Sequence, residues 1–185
     1  MTMNINYIVL SFTIGAIPFA AILTYLFNRQ SIRTMGDKNP GARNVYHSVG
    51  LLPGFLTLLL DAGKGILLLI ILQQVGFSNT QILCYIFIGL SGHAFSPFLL
   101  GKGGQGVAML VGAMIWLFPL PALLSMVVFG ILCRWVKQFD IRYSIASVFF
   151  VGAVFWQYPI PWTERLLIAG LFLFPLIKGF LFPKK

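Results

Sequence analysis

The residues in this chain whose types suit chemistry fall in three short polar runs set in an otherwise apolar sequence. The densest runs from Gly36 to Gly50, Gly-Asp-Lys-Asn-Pro-Gly-Ala-Arg-Asn-Val-Tyr-His-Ser-Val-Gly, and gathers cations, amides, a carboxylate and an imidazole between two hydrophobic stretches. Glycine and proline let such a backbone turn tightly and present its N–H groups. With Gly36, Pro40 and Gly41 shaping the turn, Lys38, Asn39, Arg43 and Asn44 add donors that suit a phosphate or carboxylate. The same residues also read as a basic connector beside a membrane span that obeys charge bias. The second run is Asp61 and Lys64, three residues apart and so on one helical face, surrounded by Leu and Ile. Ionisable groups at that depth are costly unless paired or facing a polar cavity, so the two are either part of a functional site or an ion pair that locks helices together. The third joins His93, in Ser91-Gly92-His93, to Gly101-Lys102-Gly103-Gly104-Gln105-Gly106. A histidine on an apolar helix is commonly a hydrogen-bonded core residue. The glycine-rich run beyond it is no lipid-exposed helix, and it must be shielded by protein or lie at an aqueous mouth, where it forms an anion nest. It lacks the spacing and the Lys-Ser/Thr ending of a Walker loop.

The elements that must position these residues are membrane helices. The chain has 185 residues, of which 58% are hydrophobic and only 9% charged. Its mean hydropathy is +0.90, beyond what a water-soluble domain of this size tolerates. The apolar segments are continuous and about 20 residues long, which favours helices over the roughly ten-residue alternating strands of a barrel. An all-α polytopic bundle, one integral membrane domain over residues 1–185, is the expectation. The net charge of +9 would suggest nucleic acid in a soluble protein. Here the cations flank apolar spans and report topology and attraction to anionic lipid, so nucleic acid is discounted. Cys84 and Cys133 have no metal-ligand spacing and read as packing residues, and no metal is expected.

Seven spans follow from hydropathy: Tyr7–Leu26, kinked near Gly15-Ala16-Ile17-Pro18; Leu51–Gln73; Gln81–Leu100; Val107–Phe118; Ala122–Trp135; Ser144–Trp156; and Leu166–Phe180. The first lacks a basic preceding region and is expected to be retained. Several are shorter than a bilayer is thick, which predicts oblique or re-entrant geometry around the fourth to sixth. With the N-terminus outside, the loops holding Arg29, Arg33, Lys38, Arg43, Lys102, Arg134, Lys137 and Arg142, and the tail with Lys178, Lys184 and Lys185, are cytoplasmic, leaving Arg165 alone on the other side. That asymmetry is the positive-inside pattern, and it brings the Gly36–Gly50 loop, the Gly101–Gly106 loop and the entrance to the Asp61/Lys64 span to one face.

The run Gly15-Ala-Ile-Pro-Phe, Ile32-Arg33, Gly36-x-x-Asn39-Pro-Gly41-Ala-x-Asn44-Val45, Leu60-Asp61-x-x-Lys64-Gly65, Gly92-His93-Ala-Phe and Lys102-Gly-Gly-x-Gly-Val-Ala108 resembles, in order and spacing, the bacterial acyl-phosphate:glycerol-3-phosphate acyltransferase family, PlsY-type. The resemblance covers Gly15 to Ala108 by motif and the remainder by hydropathy. It implies a multi-pass inner-membrane enzyme of phospholipid synthesis with its active site at the cytoplasmic face. Such an enzyme moves a fatty acyl group from acyl-phosphate to the 1-hydroxyl of glycerol 3-phosphate, giving lysophosphatidic acid without a metal or coenzyme A. The implied partners are a phosphorylated small-molecule acceptor, an acyl-phosphate donor and membrane lipid, and no cofactor is implied.

The chain departs from that pattern at phosphate-facing positions. Asp37 stands at the family's serine, His47 at an arginine and Gln105 at a lysine, while Lys38 and Arg43 stand where the family usually has Gly and Thr. The family's C-terminal Arg-His-x-x-Asn segment has no counterpart after Phe174. The resemblance thus implies Asp37 or His47 as the base for the acceptor hydroxyl, with His93 beside them in the catalytic set. Phosphate falls to Gly36, Lys38, Asn39, Gly41, Arg43, Asn44, Asp61, Lys64, Lys102, Gly103, Gly104, Gln105 and Gly106. The alternative is a catalytically lapsed homologue, a membrane subunit that binds lipid or a partner. A transporter finds no support in an inverted hydropathy repeat.

Overall fold

The computed structural model describes residues 2–181. Among them the elements are α1 (Ile5–Ala16), α2 (Phe19–Asn28), a 3-10 turn (Ile32–Thr34), α3 (Ala42–Ser48), α4 (Leu51–Gln74), α5 (Asn79–Ala94), a 3-10 turn (Pro97–Leu99), α6 (Val107–Leu117), α7 (Pro119–Leu132), α8 (Phe139–Gln157) and α9 (Trp162–Leu181), with no strand. The stretches Ile5–Asn28, Leu51–Gln74, Asn79–Leu99 and Phe139–Gln157 are long and apolar enough to cross a bilayer. Val107–Leu117 and Pro119–Leu132 are short apolar helices. At about 1.5 Å per residue, α6 reaches only about half the thickness of a hydrocarbon core. The outward surface is apolar: Leu51, Leu58, Leu67, Val127, Val148 and Leu173 are all exposed, as suits lipid. The protein is an integral membrane bundle, with helices of unequal length in place of uniform spans.

Boundaries moved where side chains override hydropathy. The first span is interrupted, not merely kinked, since Ile17 and Pro18 lie outside both α1 and α2. The polar stretch between the first two spans is not all loop, because α3 forms within it. Helix α8 starts at Phe139 and α9 at Trp162, each several residues earlier than hydropathy placed them, since polar first-turn residues such as Asp140 and Glu164 suit a helix N-terminus. Ser78 and Gln81 form a reciprocal capping box that starts α5 after the turn at Gly76.

The helices alternate in direction, and contacts between distant residues identify the two ends. At one end Arg33 Nη1 donates to Leu99 O at 3.2 Å, and the Arg43 guanidinium lies 5.3 Å from the centre of the Phe139 ring. At the other end Thr80 Oγ1 donates to Glu164 at 3.1 Å, and Phe118 meets the Tyr158 ring edge-on. The first end carries the Asn28–Gly50 segment, the Gly101–Gly106 loop, the α7–α8 connection and the end of α9, so the polar runs converge as the charge pattern requires. Lys184 and Lys185, counted among the cations of that face, lie outside the described residues.

The main core joins α1 to α4–α9, with Leu68, Leu72, Tyr85, Leu90, Met109 and Phe150 almost wholly buried, and a smaller cluster of Ala20, Ile32 and Val45 packs α2 against α3. Close helix approach is set by small residues. A methyl group added at Gly15 of α1 would run into the carbonyl of Gly89 in α5, so the two backbones touch where Gly15 stands.

Candidate active site

The site begins at the break in the first span. Pro18 has no N–H, and α2 restarts with Ala21 and Ile22 donating to Pro18 O, so the carbonyls of Gly15, Ala16 and Ile17 lose their usual helical donors. In hydrocarbon such groups must be satisfied by protein. Lys64 Nζ of α4 donates to Gly15 O at 3.0 Å and to Ile17 O at 2.9 Å, and Ser96 Oγ donates to Ala16 O at 2.6 Å. The break and the buried lysine therefore account for one another.

Lys64 has two further partners. Its ammonium lies 2.9 Å from Asp61 Oδ1 and 2.8 Å from His93 Nδ1. An ammonium only donates, so Nδ1 of His93 carries the lone pair and the ring proton belongs on Nε2. Asp61, Lys64 and His93 are 2%, 3% and 8% exposed, and Lys64 neutralises the buried carboxylate in place. The partners of Lys64 belong to α1, α4, α5 and the break after α1.

His93 Nε2 faces the glycine-rich loop. A Cβ at Gly104 would sit 2.5 Å from Nε2 and 2.8 Å from Pro40 O, so this glycine lets two loops close over the imidazole. The predicted anion nest is only partly realised. The N–H groups of Gly101, Lys102 and Gly103 are taken by the carbonyls of Ser96, Leu99 and Ala94. The remaining half, Gly104-Gln105-Gly106, leads into the uncapped N-terminus of α6, whose first N–H groups have no helical partner.

The Gly36–Gly50 run is clamped by one amide. Asn44, 3% exposed, accepts from Asp37 N–H and Ser48 Oγ and donates to the carbonyls of Met35 and Asn39 at 3.0 and 3.1 Å. With its hydrogen-bonding capacity used inside the loop, Asn44 shapes the site. Gly36 takes part in the same clamp, since a Cβ there would strike the Asn44 and Ser48 side chains. Asp37 Oδ1 accepts from Asn39 N–H at 3.1 Å, which turns both residues inward.

These parts surround a cavity of about 390 Å³. Its polar end is formed by Asp37, Asn39, Gly41, Arg43, Asp61, His93, Gln105 and Gly106. From there it continues as an apolar trough between α6, α7 and α8, walled by Val111, Met114, Met126, Phe129 and Ala146 and ending on Phe150 and Phe172. Of the predicted residues, Gly36, Lys38, Asn44, His47, Lys64, Lys102, Gly103 and Gly104 are not in that wall. His47 is exposed on α3 with its ring edge-on to Tyr46 at 5.0 Å, and Lys38 and Lys102 are exposed in their loops. Sequence reasoning also missed Ser96, which closes the helix break, and Lys178 of α9, 7% exposed, whose ammonium lies 4.3 Å from the centre of the Phe95 ring. Lys178 had been grouped with the cations of the tail, although its apolar neighbours Leu176, Ile177 and Phe180 were the signal that it belongs to a span.

Comparison with known proteins follows the same line. The crystal structure of PlsY, an integral membrane glycerol 3-phosphate acyltransferase, in its glycerol 3-phosphate form has the same fold: the TM-score is 0.86 over 96% of this chain and 88% of that one, at 22% identity. The glycerol-3-phosphate acyltransferase 2 of Bacillus anthracis is 32% identical over 146 residues, 79% of this chain and 76% of that protein. The glycerol-3-phosphate acyltransferase of Helicobacter hepaticus is 33% identical over 137 residues, and the match spans 61% of its length. That of Leptospira borgpetersenii serovar Hardjo-bovis is 38% identical over 142 residues, 65% of its length. The family model described as glycerol-3-phosphate acyltransferase matches residues 5–180, and the chain belongs to that family.

Proposed function

We propose that this protein transfers a fatty acyl group from acyl-phosphate to the 1-hydroxyl of glycerol 3-phosphate, yielding lysophosphatidic acid for phospholipid synthesis. The observation that carries the reading is the two-part cavity, polar at one end and apolar along its length. That shape suits a phosphorylated head and an acyl tail held in one site. Family membership adds the reaction class.

In this reading the acyl chain lies in the trough and its carbonyl reaches the polar end. The glycerol oxygen forms a bond to the acyl carbon, the bond from that carbon to the phosphate oxygen breaks, and inorganic phosphate leaves. Asp37, in the cavity wall, takes the hydroxyl proton. The exposed His47 has no part in that step. Arg43 and the N-terminus of α6 hold phosphate oxygens, and the Nε2–H of His93 donates toward the developing charge. Lys64 and Asp61 keep His93 in the tautomer that allows it.

In this reading the protein sits in the bacterial inner membrane with this site on the cytoplasmic side. Support comes from the end of the bundle that gathers Arg29, Arg33, Lys38, Arg43, Lys102, Arg134, Lys137 and Arg142, with Arg165 at the other end. A cysteine introduced near Arg43 should resist labelling by impermeant reagents in intact cells, and ready labelling from outside would overturn the orientation. For the activity, purified protein in detergent is given acyl-phosphate and glycerol 3-phosphate. Release of phosphate with formation of lysophosphatidic acid is expected, and a well-folded protein that neither turns over nor binds glycerol 3-phosphate would sink the reading.

A further inference from the structure

The charge in the cavity wall does not by itself favour a phosphate. Among the described residues, two carboxylates, Asp37 and Asp61, and one guanidinium, Arg43, line it, and Lys64 behind the wall offsets Asp61. His93 receives a bond at Nδ1 from an ammonium and is therefore neutral. A phosphate entering this end meets groups that cancel, and holding it needs a further fixed cation close to the wall. The exposed Lys38 and Lys102 do not line the cavity.

Helix α9 brings such a cation. Lys178 is buried, and its ammonium lies over the ring of Phe95, just beyond the end of α5 and two residues from His93. The next residue, Gly179, packs on the side chain of Gln105, where a Cβ would come within 2.5 Å of the amide nitrogen. Lys178 thus stands behind the part of the wall formed by His93 and Gln105, next to Gly106, Val107 and Ala108 at the start of α6, which also line the cavity. Placing a lysine in that setting is costly, and an ordinary membrane-end lysine extends toward water instead.

We propose that Lys178 is a phosphate-binding residue, supplying from the last helix the positive charge that Gln105 cannot. The proposal rests on the reading of the cavity as a site for phosphorylated substrates. Phosphate at the α6 N-terminus sits between Arg43 and the Lys178 ammonium, with the neutral Gln105 amide as a hydrogen-bond donor between them. The position of Gln105 next to Gly179 also makes a reciprocal exchange possible, in which the cation moves from α9 to the glycine-rich loop.

The test uses the full chain in detergent and reads both kinetics and calorimetric binding of glycerol 3-phosphate. Lys178→Gln should raise the KM for glycerol 3-phosphate and weaken its binding by about tenfold or more, with a smaller effect on kcat, while Lys178→Arg stays within about threefold of the parent. Adding Gln105→Lys to Lys178→Gln should recover most of the lost affinity. Unchanged KM and affinity in Lys178→Gln overturns the proposal. So does a loss that follows melting temperature and is not recovered by Gln105→Lys, because that pattern marks a packing role. If Lys178→Gln does not fold, Gln105→Lys on the parent chain decides: tighter binding is expected, and no gain overturns the proposal. A parent protein that binds glycerol 3-phosphate without turning over defeats the acyltransferase reading alone, and the binding comparison still judges Lys178. A parent that binds neither glycerol 3-phosphate nor inorganic phosphate defeats both.

Discussion

In the half of the bundle built from α1, α2, α4 and α5, side chains meet backbone through directed bonds beside one ring cluster of Tyr7, Phe77 and Tyr85, whereas the half built from α6 to α9 is joined largely by rings, with Tyr143 Oη also donating to Phe172 O. The first half has Lys64 on two carbonyls, a carboxylate and an imidazole, Ser96 on a third carbonyl, and α1 seated on α5 through Gly15. The second has Phe150 tilted on Phe172 at 4.7 Å, Phe118 edge-on to Tyr158 at 5.0 Å, and Tyr143 stacked on Phe172 at 6.4 Å. Directed bonds fix identity, because one donor removed strands several acceptors. Ring packing fixes volume, and each pair contributes only about 0.5–1.5 kcal/mol beyond its area. The reacting groups belong to the first kind of structure and the chain-holding trough to the second, so head chemistry and tail accommodation vary separately.

The contrast is most sharply broken at Lys64. Lys64→Ala leaves Asp61 charged and buried and strands the Gly15 carbonyl, and the expected loss of stability is about 3–5 kcal/mol, read as melting temperature or denaturant midpoint in detergent. A loss under 1 kcal/mol would mean that the break is satisfied by other means. Next in size is Arg43→Ala. It should leave melting unchanged and cost about 2–4 kcal/mol of transition-state stabilisation, a roughly thirtyfold to thousandfold fall in kcat/KM.

In the other half, Phe150→Leu at the end of the trough should cost about 1 kcal/mol of stability. It should also shift the preferred acyl chain toward greater length, measured by competition between acyl-phosphates. An unaltered preference would show that the trough does not end at Phe150. The smallest effect belongs to His47→Ala, expected within about 0.5 kcal/mol in stability and about twofold in turnover. A hundredfold loss there would return the base to His47 and displace Asp37.

Much of the directed half was legible from residue types. Asp61 and Lys64 stand out in an apolar helix, and Gly36, Pro40 and Gly41 mark a shaped loop. Their pairing with one another was legible from the three-residue spacing, but the other acceptors of Lys64 were not, because two of them are backbone carbonyls that every residue carries and only the break at Pro18 exposes. Asn44 and His47 lie three residues apart within α3, yet one turns into the loop and the other to the surface. That short helix had been read as loop, so its faces could not be assigned. The trough was invisible for another reason. Val111, Met114, Met126 and Phe150 look like any lipid-facing positions until tertiary packing decides which of them line a cavity.

The interruption at Ile17 and Pro18 has a consequence for how the chain is made. Synthesis delivers the carbonyls of Gly15, Ala16 and Ile17 first, more than forty residues ahead of Lys64 and about eighty ahead of Ser96. During that interval the first span is an incomplete membrane segment, since lipid offers the Gly15 and Ala16 oxygens no donor. It must wait beside water or the insertion machinery until the third span arrives. Chains arrested before Asp61 should therefore expose the region of Ile17 to aqueous labelling, and chains extended beyond Leu99 should bury it.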